Sequence, residues 1–380
     1  MSDNKTCSTK KNQIVKLGDI LEVLTDYHSN GSYKTLKENV TLLEQPNFAI
    51  MIRTTNFEKN DFTKNLIYIN QQAYNFLSKS KVLHQDILIN KIANAGAVYF
   101  MPRLDKPVSL GMNLFLLRIK KNYNKYFIFC ILKYNEKRLR LMAKGTTTKT
   151  ITKDNIKMFQ ILLPPLETQQ KIARTLSILD QKIENNHKIN ELLHTLAYKI
   201  YEYYFKYKPK NAKLEQIIIE NPKSSIMVKN AQKTQDKYPF FTSGDNILSY
   251  PKAIIDGRNC FLNTGGNAGI KFYVGKASYS TDTWCICANE FSDYLYLLLS
   301  SIKNHINQSF FQGTSLKHLQ KNLLKKYPIY MPSAHEIKKF NQIIMPLLTL
   351  ISINTRTSKK LEQIRDFLLP LLLTQQVKPQ

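Results

Sequence analysis

The chain has 380 residues, 43% of them hydrophobic, so it can form two globular domains and is not a disordered basic tail. Its 55 Lys and Arg residues exceed its 28 Asp and Glu residues, which gives a net charge of +27. This excess indicates a polyanionic partner, most often nucleic acid, although a lysine-rich proteome is the alternative explanation.

The sequence carries no sign of a membrane span, a bound cofactor or a catalytic centre. No run of about 18 apolar residues occurs and the N-terminus lacks a secretory pattern, so we expect a cytoplasmic protein. No glycine-rich cofactor fingerprint, His-Glu-x-x-His motif, nuclease motif or methyltransferase motif is present. We therefore predict no catalytic residue, no metal and no cofactor. The cysteines are expected to be reduced and structural: Cys7, Cys130, Cys260, Cys285 and Cys287.

In chain order, the pattern predicts a polar leader, a globular block, a long helix, a second block and a second long helix. The predicted boundaries are 1–12, 13–162, 163–208, 209–331 and 332–380. Short apolar runs between polar breakers predict strands, and each block ends with a short helix. The predicted strands and helix of the first block are 48–52, 82–92, 97–100, 113–119 and 126–134. Those of the second block are 238–242, 254–262, 270–274, 283–287 and 293–302.

The first long helix begins after two prolines and carries a narrow apolar stripe at steps of three and four. A helix of this length needs a partner of equal length to bury such a stripe. The residues predicted to form its side of a helix-pair core are Ile172, Leu176, Leu179, Ile183, Leu193, Leu196 and Ile200.

The same stripe returns 168 residues later, at Phe340, Ile344, Leu347, Ile351, Leu361, Ile364 and Leu368. This register indicates a duplicated unit of one domain plus one helix, and predicts two antiparallel helices. We expect Leu193 near Leu347 or Ile351, and Leu179 or Ile183 near Leu361. The second helix should begin with a capping box at Ser333 and Glu336, and Pro346 should bend it or leave a carbonyl unpaired. Asn186 and Asn354 can specify the register, or alternatively face solvent.

Three kinds of loop in each block carry residues suited to DNA. Polar residues that follow strands resemble readers of base edges: Arg53, Thr54, Thr55, Asn56, Thr242, Ser243 and Asn246. Asn-Ala-Gly turns suit the close approach of a phosphate: Lys91, Asn94, Gly96, Asn263, Asn267 and Gly269. Glycine-hydroxyl loops suit phosphate oxygens: Lys144, Thr146, Thr147, Gly313, Thr314, Ser315 and Lys317. The alternatives are ordinary loops, tight turns and helix C-caps.

The run LPPLETQQKIARTLSILDQKIENNHKINEL resembles the central conserved helix of specificity subunits of type I restriction–modification enzymes, and residues 331–373 resemble their second conserved helix. The resemblance implies an α+β fold with two pseudo-symmetric mixed α/β target-recognition domains joined by two long antiparallel helices. It implies a bipartite double-stranded DNA site, with adenine methylation and cleavage supplied by methyltransferase subunits and a motor-nuclease subunit. The chain itself would be non-catalytic.

Two other functions are compatible with the residues alone. One is a coiled-coil scaffold whose globular ends bind protein, with incidental charge; the other is a nucleic-acid enzyme without a recognisable motif. DNA binding should weaken steeply as salt rises, which distinguishes it from protein scaffolding.

Overall fold

The computed structural model describes residues 12–145, 148–231 and 237–377. Residues up to Gln181 and from Glu362 onward belong to one compact unit, and Lys182–Leu361 form the other. Each unit holds one mixed α/β domain together with a segment of each long helix. Within the described ranges, no helix is both long enough and apolar enough to cross a membrane.

Short strands and short helices make up the first domain. The strands are β1 (Gln13–Lys16), β2 (Leu21–Asp26), β3 (Ala49–Ile52), β4 (Ile67–Ile69), β5 (Lys81–Val82), β6 (Ile87–Asn90), β7 (Val98–Phe100), β8 (Val108–Leu110), β9 (Leu114–Ile119) and β10 (Gln160–Leu163). The helices are α1 (Leu17–Ile20), α2 (Tyr33–Asn39), α3 (Thr54–Glu58), α4 (Gln71–Phe76), α5 (Lys125–Tyr134), α6 (Glu136–Leu141), α7 (Lys153–Met158) and the long α8 (Leu166–Tyr201).

The second domain repeats this arrangement. Its strands are β11 (Ala212–Lys213), β12 (Ile219–Glu220), β13 (Tyr238–Phe241), β14 (Leu248–Tyr250), β15 (Arg258–Asn263), β16 (Ile270–Val274), β17 (Ser278–Tyr279), β18 (Thr283–Cys287), β19 (Phe311–Gln312), β20 (His318–Leu319) and β21 (Pro328–Ile329). Its helices are α9 (Val228–Ala231), α10 (Ser292–Ser301), α11 (Lys303–Ser309), α12 (Lys321–Lys325) and the long α13 (Ala334–Leu373).

The main four-stranded sheets of the two domains have the same strand order. The order β2-β9-β6-β7 in the first domain corresponds to β12-β18-β15-β16 in the second. Beside each of these sheets lies a second one, in which β3 pairs in parallel with β8, and β13 with β17. The duplication read from the sequence therefore extends to the strand pairing of both domains.

The central strands are buried on both faces, which explains why they read as continuous apolar runs. On β6, Ile87 and Ile89 enter one buried cluster while Leu88 enters another. On β15, Cys260 and Leu262 likewise face away from Phe261. Fully burying a large aliphatic or aromatic side chain contributes about 1.5–3 kcal/mol, so these strands anchor the loops that follow them.

The two long helices are antiparallel where they share a unit, as predicted. The Asn186 amide donates to the Ser358 hydroxyl (3.2 Å), and the Asn354 amide donates to Asn190 Oδ1 (2.9 Å). As the residue number increases along α8, the residue it contacts on α13 has a decreasing number, so the helices are antiparallel. The two hydrogen bonds are related by the 168-residue offset, so these asparagines fix the register and do not face solvent.

Most of the predicted stripe lies inside, but two of its residues do not. Leu196 and Ile364 are 48% and 47% exposed, so their assignment to the core was wrong. Near Leu196, the residues of α8 that face α13 include Asn190 and the buried Ala197. A prediction that follows only apolar residues does not include the asparagine. The buried members are Ile172, Leu176, Ile183, Phe340, Ile344 and Ile351. The half-buried members are Leu179, Leu193, Ile200, Leu347, Leu361 and Leu368.

Other predictions for the elements had mixed outcomes. The capping box is confirmed: the Glu336 carboxylate accepts from Ser333 N (2.9 Å), and Glu336 N donates to the Ser333 hydroxyl (3.3 Å). Helix α13 continues through Pro346 without interruption. The predicted strand 82–92 is two strands, because the Asp86 carboxylate accepts from Leu83 N (2.7 Å) and closes a turn between them.

Candidate nucleic-acid interface

In each domain, four loops meet at the edge where the central strands end. We call the first edge rim 1, formed by residues 53–56, 91–97, 111–113, 144–145 and 148–150. Rim 2 is formed by residues 242–246, 264–269, 280–282 and 312–318. These loops, with the last residue of β15, include every predicted DNA-contacting residue that the structure describes, so the three motif classes lie together within each domain.

Backbone hydrogen bonds at equivalent positions build both rims. The amide that follows β8 or β17 donates to the end of β3 or β13, and the amide that follows β6 or β15 donates to the loop before β9 or β18. The third loop then joins through a backbone bond to the second. The matched pairs are Gly111 N to Ile52 O (2.8 Å) and Ser280 N to Phe241 O (2.9 Å); Lys91 N to Asn113 O (2.8 Å) and Thr264 N to Asp282 O (3.3 Å); Ile151 N to Lys91 O (3.1 Å) and Leu319 N to Thr264 O (3.0 Å).

The glycine-hydroxyl loops are tight turns with the same geometry. Gly145 and Gly313 have φ of +133° and +140°, and a Cβ on either would lie 2.3 Å from a carbonyl oxygen, so only glycine fits. Thr146 and Thr147 lie outside the described residues. Thr314, Ser315 and Lys317 are exposed, and their side chains form no hydrogen bond or ion pair within the described ranges. Lys144 is also exposed.

The loop that follows β3 is partly structural. Asn56 is only 3% exposed; its carbonyl accepts from Arg53 N (2.9 Å) and its amide donates to Asp61 O (3.2 Å). Its placement contradicts the prediction that it reads a base, because both halves of the amide are used inside the domain. The Arg53 guanidinium donates to Asn65 O (3.0 Å), Thr54 is half-buried and Thr55 is exposed.

Lys91 is part of an ion cluster behind rim 1, and the prediction that it contacts DNA does not fit its placement. Its Nζ lies 2.6 Å from Asp26, which also pairs with Lys153 (3.0 Å). Burial alone would raise the pKa of Asp26, but hydrogen bonds from Lys91, Ser29 and Lys153 outweigh it and hold the pKa well below its usual range. The ammonium of Lys91 is therefore committed to the fold.

The Asn-Ala-Gly turn of rim 1 packs on α6. The Asn94 carbonyl accepts from the Arg140 guanidinium, a contact that the sequence did not indicate. A Cβ on Gly96 would lie 2.8 Å from Arg140 N, and its φ is +88°. Gly96 therefore permits close packing of the loop on the helix, and the space expected for a phosphate is filled by protein.

Behind rim 2, a lysine, Lys271, donates hydrogen bonds to neutral oxygen atoms. Lys271 Nζ donates to Thr242 O (2.9 Å) and to Asn263 Oδ1 (3.1 Å), and burial lowers the pKa of Lys271. Thr242 and Asn263 are each 6% exposed. The prediction that these two side chains contact DNA is therefore corrected: they hold the loops in place.

Two further predicted residues of rim 2 are structural and two remain available. The Ser243 hydroxyl donates to Asp282 O, and a Cβ on Gly269 would lie 2.3 Å from the Asn263 amide nitrogen. Gly269 thus makes room for a side chain of the domain and not for a phosphate. Asn246 and Asn267 are exposed, with no side-chain hydrogen bond among the described residues.

Sequence reasoning also missed residues on both rims. Asn113 and Asp282 are exposed residues that directly precede β9 and β18. Their backbone carbonyls accept the hydrogen bonds from Lys91 N and Thr264 N that belong to the backbone frame, the set of equivalent backbone hydrogen bonds in each rim. No repeated sequence motif marks these two residues, so their equivalent positions are visible only in the structure. No group of His, Cys, Asp and Glu able to hold a metal ion occurs in the part of the chain that the structure describes.

The family model of the type I restriction modification DNA specificity domain matches residues 9–195 and again residues 210–363. The chain belongs to this family. Its two matched segments each contain one rim, so each rim lies in a DNA specificity domain.

Several proteins named as specificity subunits are similar over much or nearly all of the chain. A type I restriction enzyme MjaX specificity subunit of Methanocaldococcus jannaschii is 25% identical over 96% of this chain and 93% of its own length. The MjaIX specificity subunit of the same organism is 24% identical over 62% and 64%. The crystal structure of the type I restriction–modification S subunit from M. genitalium shares the fold, with a TM-score of 0.61, 16% identity and 97% coverage of both chains.

Proposed function

We propose that this specificity subunit recognises a bipartite double-stranded DNA site, with one half read by each domain and the gap set by the long helices. Residues 13–162 and 209–331 would be the two target-recognition domains. The observation that carries this proposal is the pair of rims, which share one backbone frame and present different side chains. Because the two rims have the same backbone arrangement but different side chains, they are suited to two DNA half-sites of different sequence.

Polar side chains on the rims, together with Arg140 of α6 beside rim 1, divide into two roles. Lys144, Lys317 and the hydroxyls of Thr314 and Ser315 suit phosphate oxygens, which position the protein without reading sequence. Arg53, Arg140, Asn246 and Asn267 have the donors and acceptors that read guanine and adenine edges. The net charge of +27 favours association with DNA as a whole.

The helices suit a spacer because their register is fixed by side chains. Helix α13 has 40 residues, which corresponds to about 60 Å, whereas one turn of B-DNA is about 34 Å. The hydrogen bonds of Asn186 and Asn354 resist sliding of one helix along the other. The length of the helices would thereby determine the number of base pairs between the half-sites.

The helices also carry a surface suited to a protein partner. Leu192 is 71% exposed and Ile353 42%, and a groove of about 400 Å³ lies at the start of α13, beside Met345. Asn341 Oδ1 in this groove is buried without a hydrogen bond. We assign this surface to the methyltransferase subunits, which would supply adenine methylation, while a motor-nuclease subunit would supply cleavage.

Methylation-motif sequencing of cells with and without the gene tests the proposal. Loss of a bipartite adenine-methylation motif in the deletion strain is expected. Replacing residues 13–162 by the corresponding block of a relative should change one half-site only, and a heptad inserted into both helices at matching positions should lengthen the spacer by about 10 Å, roughly three base pairs. A domain exchange that altered both half-sites together would contradict independent reading.

A further inference from the structure

The two rims display different functional groups at one equivalent position. Asn113 lies in the turn between β8 and β9, and Asp282 in the turn between β17 and β18. The carbonyl of each accepts the backbone amide of the loop that follows the neighbouring strand, Lys91 N in one rim and Thr264 N in the other. The position is thus an amide in the first domain and a carboxylate in the second.

The turns hold this position rigidly. Gly111 N and Ser280 N donate to the ends of β3 and β13, with which β8 and β17 pair in parallel. Two residues later, the same turns accept the hydrogen bonds that close the rims. A side chain at this position is presented from a backbone that is fixed on both sides.

The frame uses only the backbone carbonyl of this position, so its side chain is available. Asn113 is exposed, and its amide makes no hydrogen bond within the described ranges. Asp282 is exposed as well, and its carboxylate accepts only from the Ser280 hydroxyl among the described residues. An exchange between Asn and Asp at these positions would leave every bond of the frame in place.

An exposed carboxylate on a DNA-facing edge is informative because it repels phosphates. It can only accept hydrogen bonds, so it is favourable where a base offers an amino group, as cytosine does through N4. An amide both donates and accepts, which matches N7 and N6 of adenine. The two side chains therefore favour different bases at the same place in the two half-sites.

We propose that Asn113 and Asp282 are matched specificity-determining residues: Asn113 selects adenine in the half-site of the first domain, and Asp282 selects cytosine in that of the second. This inference rests on the proposed function. It goes further by assigning one base of each half-site to one residue.

The test is a reciprocal exchange, Asn113→Asp and Asp282→Asn, in the complete complex, read by methylation-motif sequencing and by binding to duplexes that differ at one base. Asp282→Asn should lower affinity for the original site roughly ten- to hundredfold and shift one position of that half from cytosine towards adenine. Asn113→Asp should act in the same way on the other half only. Each exchange should leave the spacer and the opposite half unchanged.

Controls with the same change of charge separate base reading from electrostatics. Glu215→Gln and Asn122→Asp alter exposed residues away from the rims. If Asp282→Asn changed binding to all duplexes alike, as Glu215→Gln would, or left the motif unchanged, the inference would be wrong. Asp282→Ala provides a second variant, expected to lose discrimination at that position while still binding. A wild-type complex without a bipartite motif would instead overturn the proposed function.

Discussion

The two domains share one backbone frame but stabilise it with different electrostatics. Behind rim 1, Lys91 pairs with the carboxylate of Asp26 at 2.6 Å. Behind rim 2, the ammonium of Lys271 is held by two neutral oxygen atoms, of which the nearer is Thr242 O at 2.9 Å. The backbone bonds are common to both rims and these side-chain contacts are not, so one backbone arrangement is supported by different side chains in the two domains.

The same contrast occurs where each domain meets its long helix. In the second domain, Arg258 pairs with the buried Asp293 and donates to the Thr349 hydroxyl (2.9 Å). In the first domain, Lys125 stands at the position equivalent to Asp293, and the neighbouring Tyr126 instead donates to Asp180 of α8. In the second domain, a guanidinium oriented by a buried carboxylate donates to the long helix, whereas in the first domain a phenol donates to a carboxylate of the long helix.

The largest effect is expected from Arg258→Met. Asp293 is 1% exposed, and burial raises its pKa although Arg258 opposes that shift. Removing its partner leaves a buried charge unpaired, so we expect the second domain to lose about 3–5 kcal/mol of unfolding free energy. The only tryptophan, Trp284, is buried in this domain, so its fluorescence during urea unfolding reports the change. Arg103→Met, at an exposed residue of the first domain, is the control and should leave the fluorescence transition in place.

A smaller effect, in the other domain, is expected from Asp26→Asn. Breaking its pairs with Lys91 and Lys153 should lower the stability of the first domain by about 2–3 kcal/mol at pH 7. Because the folded pKa of Asp26 lies well below its unfolded value of about 3.9, this stabilisation is complete above that pH, decreases progressively below it, and is lost as the pH falls through the folded pKa. Amide hydrogen exchange in β2 and β6 should show the difference at pH 7 and a smaller one below pH 4.

The matched change behind rim 2 is Lys271→Met. Burial lowers the pKa of Lys271, so the fold disfavours its protonated form, and removing the charge should cost less than Asp26→Asn does at pH 7. Equal losses in the two variants would mean that both lysines are stabilised alike, and the contrast between the rims would have to be abandoned.

The smallest effects are expected at the exposed lysines of the rims. Lys144→Ala and Lys317→Ala should each weaken binding to all sequences alike and reduce the slope of log affinity against log salt by about one. Binding measured at two salt concentrations with a cognate and a non-cognate duplex tests this. A change of base preference in either variant would show that the lysine reads sequence, and the division between positioning and reading residues would fail.

The sequence was sufficient for the features that repeat. The 168-residue offset predicted the antiparallel helices, and the glycine motifs identified two of the loops in each rim. It was insufficient for the roles of Asn56, Thr242 and Asn263, because an amide or hydroxyl that caps a buried loop looks the same in sequence as one that contacts DNA. Their burial depends on the packing of distant segments.

The helix seam and the matched turns were missed for a related reason. The contact surface between the helices includes the polar Asn190, which a search for apolar periodicity does not detect. The prediction therefore assigned the exposed Leu196 to the core. The turns that contain Asn113 and Asp282 have no residue type in common. The two residues are equivalent because their backbone carbonyls accept equivalent hydrogen bonds. Equivalence of this kind requires the strand pairing to be known.

The reciprocal hydrogen bonds of Asn186 and Asn354 constrain how such a protein can evolve. An insertion in one helix alone would place an asparagine against an apolar neighbour and leave its amide unpaired, which costs about 1–3 kcal/mol for each buried group. We therefore expect an insertion in one helix to destabilise the helix pair more than matched insertions in both, which keep the asparagines opposite their partners. Because the two helices descend from one duplicated segment, copying a stretch of one coding sequence onto the other introduces both insertions at once. If the helices set the gap between half-sites as proposed, that gap should change between lineages in discrete, paired steps, while the rims change one residue at a time.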